Sequence, residues 1–168
     1  MAYDIAIFTS PKNLQETTAL NNDIDTTLLR AMIVDAQTVI APQWLGCDLY
    51  EELQSQKIAG TLTAANTILI EQYLRPALNQ YVLATNLIHI HYRYRNKGVV
   101  VQSGENSQPS DLAEVKALQN NHRDLAESLA NRMIEFLNDN SADYPAFLTS
   151  SNCKCSTNRS PFTCSIHF

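Results

Sequence analysis

The feature that most constrains this chain is an uncharged stretch, residues 77–92, that is typical of a single helix. If His89 and His91 are neutral, no residue in this stretch carries a charge. A helix that is apolar on more than one side is normally central, covered by its neighbours in the fold or by a neighbouring subunit. The stretch therefore predicts a helical protein with this segment at its centre.

A break in the helical pattern follows at residues 93–109. It begins with three cations, turns at a glycine, continues with three valines and then becomes polar. Valine favours extended chain, and glycine favours a turn. We therefore predict a protruding loop or β-hairpin between the last two helices. We expect its contacts with a neighbouring subunit to come from Arg93, Arg95, Lys97, Gly98, Val99, Val100 and Val101.

The spacing of apolar residues predicts the other helices. The predicted helical stretches are 25–42, 49–56, 63–75, 76–92 and 110–140. Asp25 or Thr26 can cap the first helix, which we expect Pro42 to end, and Asp48 can cap the second. Pro76 either kinks the third helix or begins a new one. We expect inward positions at Ile68, Leu69 and Tyr73, and in the last helix at Leu112, Val115, Leu118, His122, Leu125, Leu129, Met133, Phe136 and Leu137.

Composition indicates one all-α domain, a small bundle of four to five helices. Four glycines against six prolines argue against a turn-rich β sandwich or barrel. We divide the chain into an N-terminal arm (1–24), a helical domain (25–148) and an extended C-terminal tail (149–168). No run approaches the roughly 18 apolar residues of a membrane span, and the first residues lack the pattern of a signal peptide. We expect a cytosolic protein with no membrane partner.

The charges are unevenly distributed. Residues 1–60 carry eight acids and three bases, whereas no acid lies between Glu71 and Glu105. Such polarity suits head-to-tail contact between copies, or a face turned toward a polyanion. A solvated basic edge explains any single residue equally well.

Two groups of residues have the chemistry of metal ligands. His89 and His91 are two apart, and such positions diverge by about 200° on a helix, so the two rings could not share an ion there. Cys153, Cys155, Cys164 and His167 form a legitimate zinc set, but Cys-x-Cys is a tight spacing. Cys47 stands alone in the sequence and the other three cysteines crowd the tail, so we do not expect a secreted disulfide framework. Our reading is that the chain binds no metal, and a zinc-stabilised tail is the alternative.

The sequence contains no motif that indicates an enzyme. A phosphate-binding glycine loop, a Gly-x-Ser-x-Gly elbow and a His-Glu-x-x-His helix are all absent from it. Asp48, Glu51 and Glu52 fall on a first helical turn, where acids complement the helix dipole. His122 interrupts an apolar stripe and is typical of a core or interface histidine. We expect no catalytic residue and no cofactor.

The order of several short motifs resembles the head–tail connector proteins of tailed bacteriophages, and is most similar to the neck ring proteins of crAss-like phages. The resemblance covers residues 26–148. It begins in the helix LLRAMIVDAQTVIAPQWLGCDLYEEL, with Ala36-Gln37, Leu45-Gly46 and Leu49-Tyr50-x-x-Leu53. It continues through Arg75-Pro76-Ala77-Leu78, Asn96-Lys97-Gly98-Val99-Val100, Gly104-Glu105-Asn106, Pro109, and Asn140 with Tyr144-Pro145.

The resemblance implies a structural virion protein without enzymatic activity or cofactor. Its copies would form a ring, a dodecamer, that docks on the portal protein, extends the DNA channel and supports the next ring of the tail. The protein would assemble in the bacterial host cytoplasm and reside in the neck of the virion. Arg93, Arg95 and Lys97 could face DNA that passes without sequence specificity. The tail would bind the portal or the next ring through Cys153, Cys155, Pro161, Phe162 and Phe168.

A second reading remains open. Residues 92–97 alternate aromatic and basic side chains, which can grip phosphate and stack on bases. The alternative is therefore a small helical nucleic-acid-binding or regulatory protein. With only three cations in a chain of net charge −5, this segment is a weak nucleic-acid site.

Overall fold

The structure, a computed structural model, describes residues 5–18, 20, 24–95, 98–101 and 112–149; for 90–95, 98–101 and 148–149 it describes the backbone only. Within these residues the chain forms seven α-helices, one π-helical turn and one pair of strands. The elements are α1 (Pro11–Thr17), α2 (Thr26–Leu45), α3 (Cys47–Ala59), α4 (Ala64–Ile68), the π turn (Leu69–Leu74), α5 (Arg75–His91), β1 (Tyr92–Arg95), β2 (Gly98–Val101), α6 (Leu112–Asp139) and α7 (Pro145–Thr149).

The predicted all-α fold class is confirmed, and α5 lies at the centre of the fold. This helix packs against α6 along its length, and against α2 and α1 on its other sides. Its buried positions fall on several sides, as expected for a helix covered by more than one neighbour. They are Ala77, Leu78, Asn79, Val82, Leu83 and Ala84.

Side-chain caps begin three of the helices. Ser10, Asp25 and Thr63 each accept a hydrogen bond from a backbone N–H in the first turn, at 3.1, 2.8 and 3.1 Å. The predicted cap at Asp25 is confirmed. The predicted cap at Asp48 is wrong, because α3 begins after Gly46, whose φ of +78° lets the chain turn sharply out of α2.

Pro42 does not end the first long helix as predicted. It lies inside α2, which continues to Leu45 before turning at Gly46. A proline this close to a helix end removes a single backbone hydrogen bond. The turn beyond it buries Trp44 and Leu45, which are 5% and 0% exposed, and this burial offsets the missing bond.

The π turn joins α4 to α5 without a break in helical structure. The N–H of Arg75 donates to the carbonyl of Ile70, five residues earlier, which gives the turn one residue more than an α-helical turn. This wider turn accommodates Pro76, so the proline neither breaks the helix nor stands at a separate start. The turn also shifts the buried face to Leu69, Ile70 and Leu74, and the predicted inward position of Ile68 is wrong, since it is 43% exposed.

The buried face of α6 differs from the predicted stripe. Val115, Met133 and Leu137 are buried as predicted, whereas Leu112, Leu118 and Leu125 are 38%, 50% and 46% exposed. The inward positions predicted for these three leucines are wrong. Small residues are buried instead: Ala126 and Ala130 on α6, and Ala84 on α5, the helix against which α6 packs. Side-chain size at a contact sets how closely two helices approach, so these alanines favour tight packing.

Much of the N-terminal segment is part of the core. Phe8 and Leu14, from the range that we separate as an arm, are 1% and 0% exposed. Two glutamines hold the extended backbone before α1. Gln37 accepts from the N–H of Phe8 at 2.8 Å and donates to the carbonyl of Ala6 at 2.9 Å. Gln54 bonds both backbone groups of Ala6, at 2.8 and 2.9 Å. Side-chain amides thus take the place of a partner strand.

A buried polar cluster joins α1 to the first half of α5. The side-chain amide of Asn79, 1% exposed, donates to Asn13 at 3.0 Å and to Thr17 at 2.7 Å. Its oxygen accepts from the hydroxyl of Thr9 at 2.7 Å. A buried amide without hydrogen-bond partners lowers the stability of the fold. The burial of Asn79 on α5 therefore depends on the hydrogen bonds that α1 provides.

The end of the described chain returns to the bundle. Tyr144 is buried, and its hydroxyl donates to the carbonyl of Ala65 at 2.8 Å. The ring of Phe136 stacks on Tyr73, with centroids 4.2 Å apart. Phe147 of α7 is fully buried. These contacts join α6 to the π turn and the residue before α7 to α4, while α7 itself packs against α3.

Replacing Gln37 should destabilise the fold. In Gln37→Met the side chain keeps its length, but the buried N–H of Phe8 loses its acceptor. An unsatisfied buried donor costs about 1–3 kcal/mol, which chemical denaturation can measure. Gln43→Met is the matched control, because Gln43 lies on the exposed side of the same helix. Equal unfolding free energies for the two variants would contradict a structural role for the glutamine contacts.

Candidate interaction surfaces

The predicted basic loop begins in a short antiparallel ribbon that directly continues α5. In its register Arg93 pairs with Val100, and Arg95 pairs with Gly98. The backbone therefore brings the two arginines and the Gly98–Val101 segment into one structural unit. Lys97 and residues 102–109 lie outside the described residues.

The predicted tail contacts also lie outside the described residues: Cys153, Cys155, Pro161, Phe162 and Phe168, with the alternative zinc ligands Cys164 and His167. Cys47 lies within them, at the first position of α3. It is disulfide-bonded, a bond that the sequence analysis does not predict.

Two helices carry apolar side chains that the bundle leaves uncovered. On α6, Leu118 and Leu125 are seven residues apart, so they lie on one side of the helix, two turns apart. On α2, Leu28 and Val39 are eleven residues apart, three turns along one side, and are 41% and 57% exposed. We call these pairs the α6 stripe and the α2 stripe. Single exposed leucines are ordinary, and we treat these aligned pairs as candidate contact surfaces.

Sequence reasoning missed both stripes. On α6 it selected the leucines as the buried set because they recur at helical spacing. The buried set shares Val115, Met133 and Leu137 with the predicted one, but it has Ala126 and Ala130 where the prediction has the exposed leucines. The alanines in that set were the available signal, since small residues suit a close helix–helix contact.

An exposed charged residue shares the side of the helix with each stripe. Asp35 lies on α2 between the two members of its stripe, seven residues after Leu28 and four before Val39. Arg132 lies seven residues after Leu125 and is exposed on α6, with its guanidinium carbon 5.6 Å from the centre of the Tyr73 ring. The two surfaces therefore carry aliphatic residues with opposite charges.

His122 lies beside the α6 stripe and joins α6 to α5. Its Nδ1 lies 2.8 Å from the side-chain oxygen of Gln80. Because an amide oxygen only accepts, Nδ1 carries the proton and donates. Burial lowers the pKa of His122 below its ordinary value of 6.5. Its neighbour Gln119 donates to the carbonyl of Ala84 at 3.0 Å, so both residues tie the two long helices together.

The acidic residues Asp48, Glu51 and Glu52 on α3 do not all have the same role. Asp48 lies in the first turn, where the helix dipole favours a carboxylate. Glu51 and Glu52 lie beyond that turn, contrary to the prediction. Glu52 accepts from Gln56 at 2.8 Å and from Asn66 at 3.1 Å, which connects α3 to α4.

Among the described residues, no group of three or more His, Cys, Asp and Glu could hold a metal ion. No helix in the described part of the chain is long and apolar enough to cross a membrane.

Acid should destabilise the fold through His122. Its pKa is lowered in the folded state, so the unfolded chain takes up a proton first as the pH falls below 6.5. The contribution of this group is complete above pH 6.5 and is lost as the pH falls toward the folded-state pKa. We expect His122→Gln to weaken the pH dependence of the melting temperature between pH 7 and pH 5. His89→Gln, on an exposed position of α5, is the control and should keep it. An unchanged dependence in His122→Gln would contradict this assignment.

Comparison with known proteins identifies a family but no activity. The family described as "Family of unknown function (DUF6712)" matches residues 41–157, more than half of the chain. No curated protein and no solved structure matches the chain. The matched range begins in the last turn and a half of α2 and includes the α6 stripe and the ribbon. The chain therefore belongs to the DUF6712 family.

Proposed function

We propose that this protein is a structural ring subunit of a tailed-phage virion, a head–tail connector that docks on the portal protein. The observation that carries the proposal is the pair of uncovered apolar stripes on an otherwise closely packed bundle. The ordered motifs that resemble phage neck ring proteins supply the biological setting. In this proposal the protein is structural and has neither a catalytic site nor a cofactor.

The two stripes suit contact between copies of the chain. They lie on different helices, so a contact between the α6 stripe of one copy and the α2 stripe of the next is head-to-tail. Such a contact closes into a ring when the angle between successive copies is a whole fraction of 360°. Asp35 and Arg132 add charge complementarity, because each lies on the same side of its helix as one of the stripes. The resemblance supplies the number of copies, twelve.

The ribbon and the two ends of the chain have proposed roles in this ring. The ribbon protrudes from the end of α5 and contacts the neighbouring subunit. Arg93, Arg95 and Lys97 face DNA that passes through the channel without sequence specificity. The C-terminal tail extends as an arm and docks on the portal or on the next ring. The ring resides in the neck of the virion and assembles in the host cytoplasm.

Charging the α6 stripe should prevent ring formation. Leu118→Glu/Leu125→Glu places two carboxylates in the proposed subunit contact, where burying charge without a partner is strongly unfavourable. Because both leucines are about half exposed, the monomer should keep its helical content and melt normally. We expect rings of the native chain in electron micrographs and by light scattering, alone or with portal protein, and only monomers of the variant.

The matched control is Ala117→Glu/Ser128→Glu. These residues are exposed on another side of α6, eleven positions apart, and the change adds the same charge. The control should assemble like the native chain. A native chain that stays monomeric at high concentration, even with portal and neck components present, would contradict the proposal. Equal assembly of the two double variants would exclude the α6 stripe as the contact.

Removing the two arginines of the ribbon separates the connector from the nucleic-acid-binding alternative. For a connector, Arg93→Ala/Arg95→Ala should impair ring assembly or retention of packaged DNA, with little change in bulk DNA affinity. For a DNA-binding protein, it should lower the affinity and reduce the salt dependence by about 0.9 in log–log slope per lost phosphate contact. Gel-shift titration at several salt concentrations distinguishes the two.

The control for the arginine variant is Lys116→Ala/Arg123→Ala, which removes two exposed cations from α6 instead. Assembly and DNA retention equal to those of the native chain in both double variants would exclude a role for the ribbon arginines in the ring.

A further inference from the structure

A pocket with a volume of about 320 Å³ lies where the N-terminal segment, α1, α3 and α5 meet. None of the contacts proposed above uses it. The charged side chains around it come from three helices: Lys12 and Glu16 from α1, Lys57 from α3 and Arg75 from α5. Ser10 and Asn13 add polar groups to the same wall.

The charge around this pocket is opposite to that of the whole chain. Three cations face one carboxylate in the lining, whereas the chain as a whole has a net charge of −5. Like charges that converge on one cavity repel each other, and a bound anion relieves this repulsion. Even when Glu71, which pairs with Arg75, is counted with the lining, an excess of one positive charge remains, and this excess favours an anion.

Arg75 is the fixed part of the site. Its Nε donates to the carbonyl of Phe8 at 3.1 Å, which holds the side chain against the N-terminal segment. Its ion pair with Glu71 is long, at 3.8 Å. The side chain is only 24% exposed. A guanidinium has five N–H donors, so this arginine retains donors beyond those contacts.

The two lysines differ in their neighbours. Lys12 lies 3.7 Å from Glu16, in a highly exposed pair of the kind that contributes little to stability. Lys57 is half-buried, and no carboxylate in the described part of the chain lies within 4.0 Å of its ammonium group. Lys57 therefore contributes a charge that the fold itself does not neutralise.

We propose that this pocket binds a phosphate group, either as inorganic phosphate or as the phosphomonoester of a small molecule. A half-buried guanidinium and nearby ammonium groups are the side chains that recognise phosphate in proteins. The volume is at the lower end of the range for small-molecule pockets, about 300–1,000 Å³, so there is room for a small group beyond the phosphate. This site is independent of subunit contact and of the ribbon.

Titration of the full-length chain with sodium phosphate at pH 7.5 tests the proposal, with sodium chloride at matched ionic strength as the blank. We expect saturable binding by calorimetry, with a dissociation constant in the millimolar range or below, and a rise in melting temperature. Lys57→Gln should weaken binding at least tenfold, and Lys12→Gln should weaken it less. Lys116→Gln, an exposed lysine on α6, should bind like the native chain.

A parallel titration with adenosine monophosphate distinguishes the two sources of phosphate. Tighter binding than inorganic phosphate assigns the site to a phosphomonoester, and equal or weaker binding assigns it to the free ion. The proposal is overturned if phosphate has no effect beyond that of chloride. It is also overturned if Lys57→Gln and Lys116→Gln, both with native circular dichroism, bind phosphate as the native chain does.

Discussion

Burial of α5 is the constraint on which the rest of the fold depends. If His89 and His91 are neutral, the helix has no charged residue after Arg75, so most of its surface is apolar enough to need cover from other helices. α6 and α2 cover much of it, and α1 covers the side that carries Asn79. Because that buried amide requires partners, the N-terminal segment is needed to complete the fold. The glutamines of α2 and α3 then hold this segment in place.

Features that depend on a few neighbouring residues could be predicted from the sequence. They include the all-α class, the central helix and the cap at Asp25. The continuation of α2 past Pro42 could not be predicted, because it depends on burial of Trp44 and Leu45 by distant elements. The π turn was missed for a related reason. A local rule treats Pro76 as a residue that breaks or begins a helix, whereas the chain passes from the π turn into α5 without a break.

The interaction surfaces show a second limit of sequence reasoning. In α6 two sets of residues have helical periodicity, and hydrophobicity alone selects the leucines over the alanines. Which set is buried depends on how closely α5 approaches α6, and that distance is a property of the packed pair of helices. The basic pocket could not be found in this way either. Lys12, Lys57 and Arg75 come from three helices and share a wall only after α1 has docked.

The π turn fixes the rotational setting of the two halves of the bundle. One residue added to a helix rotates everything after it by about 100° relative to everything before it. Deleting a single residue between Leu69 and Leu74 would restore a regular helix. It would also rotate α5, together with α6 and the ribbon, away from its contact with α2. Family members that lack this extra residue would therefore present a different side of the hairpin to their surroundings.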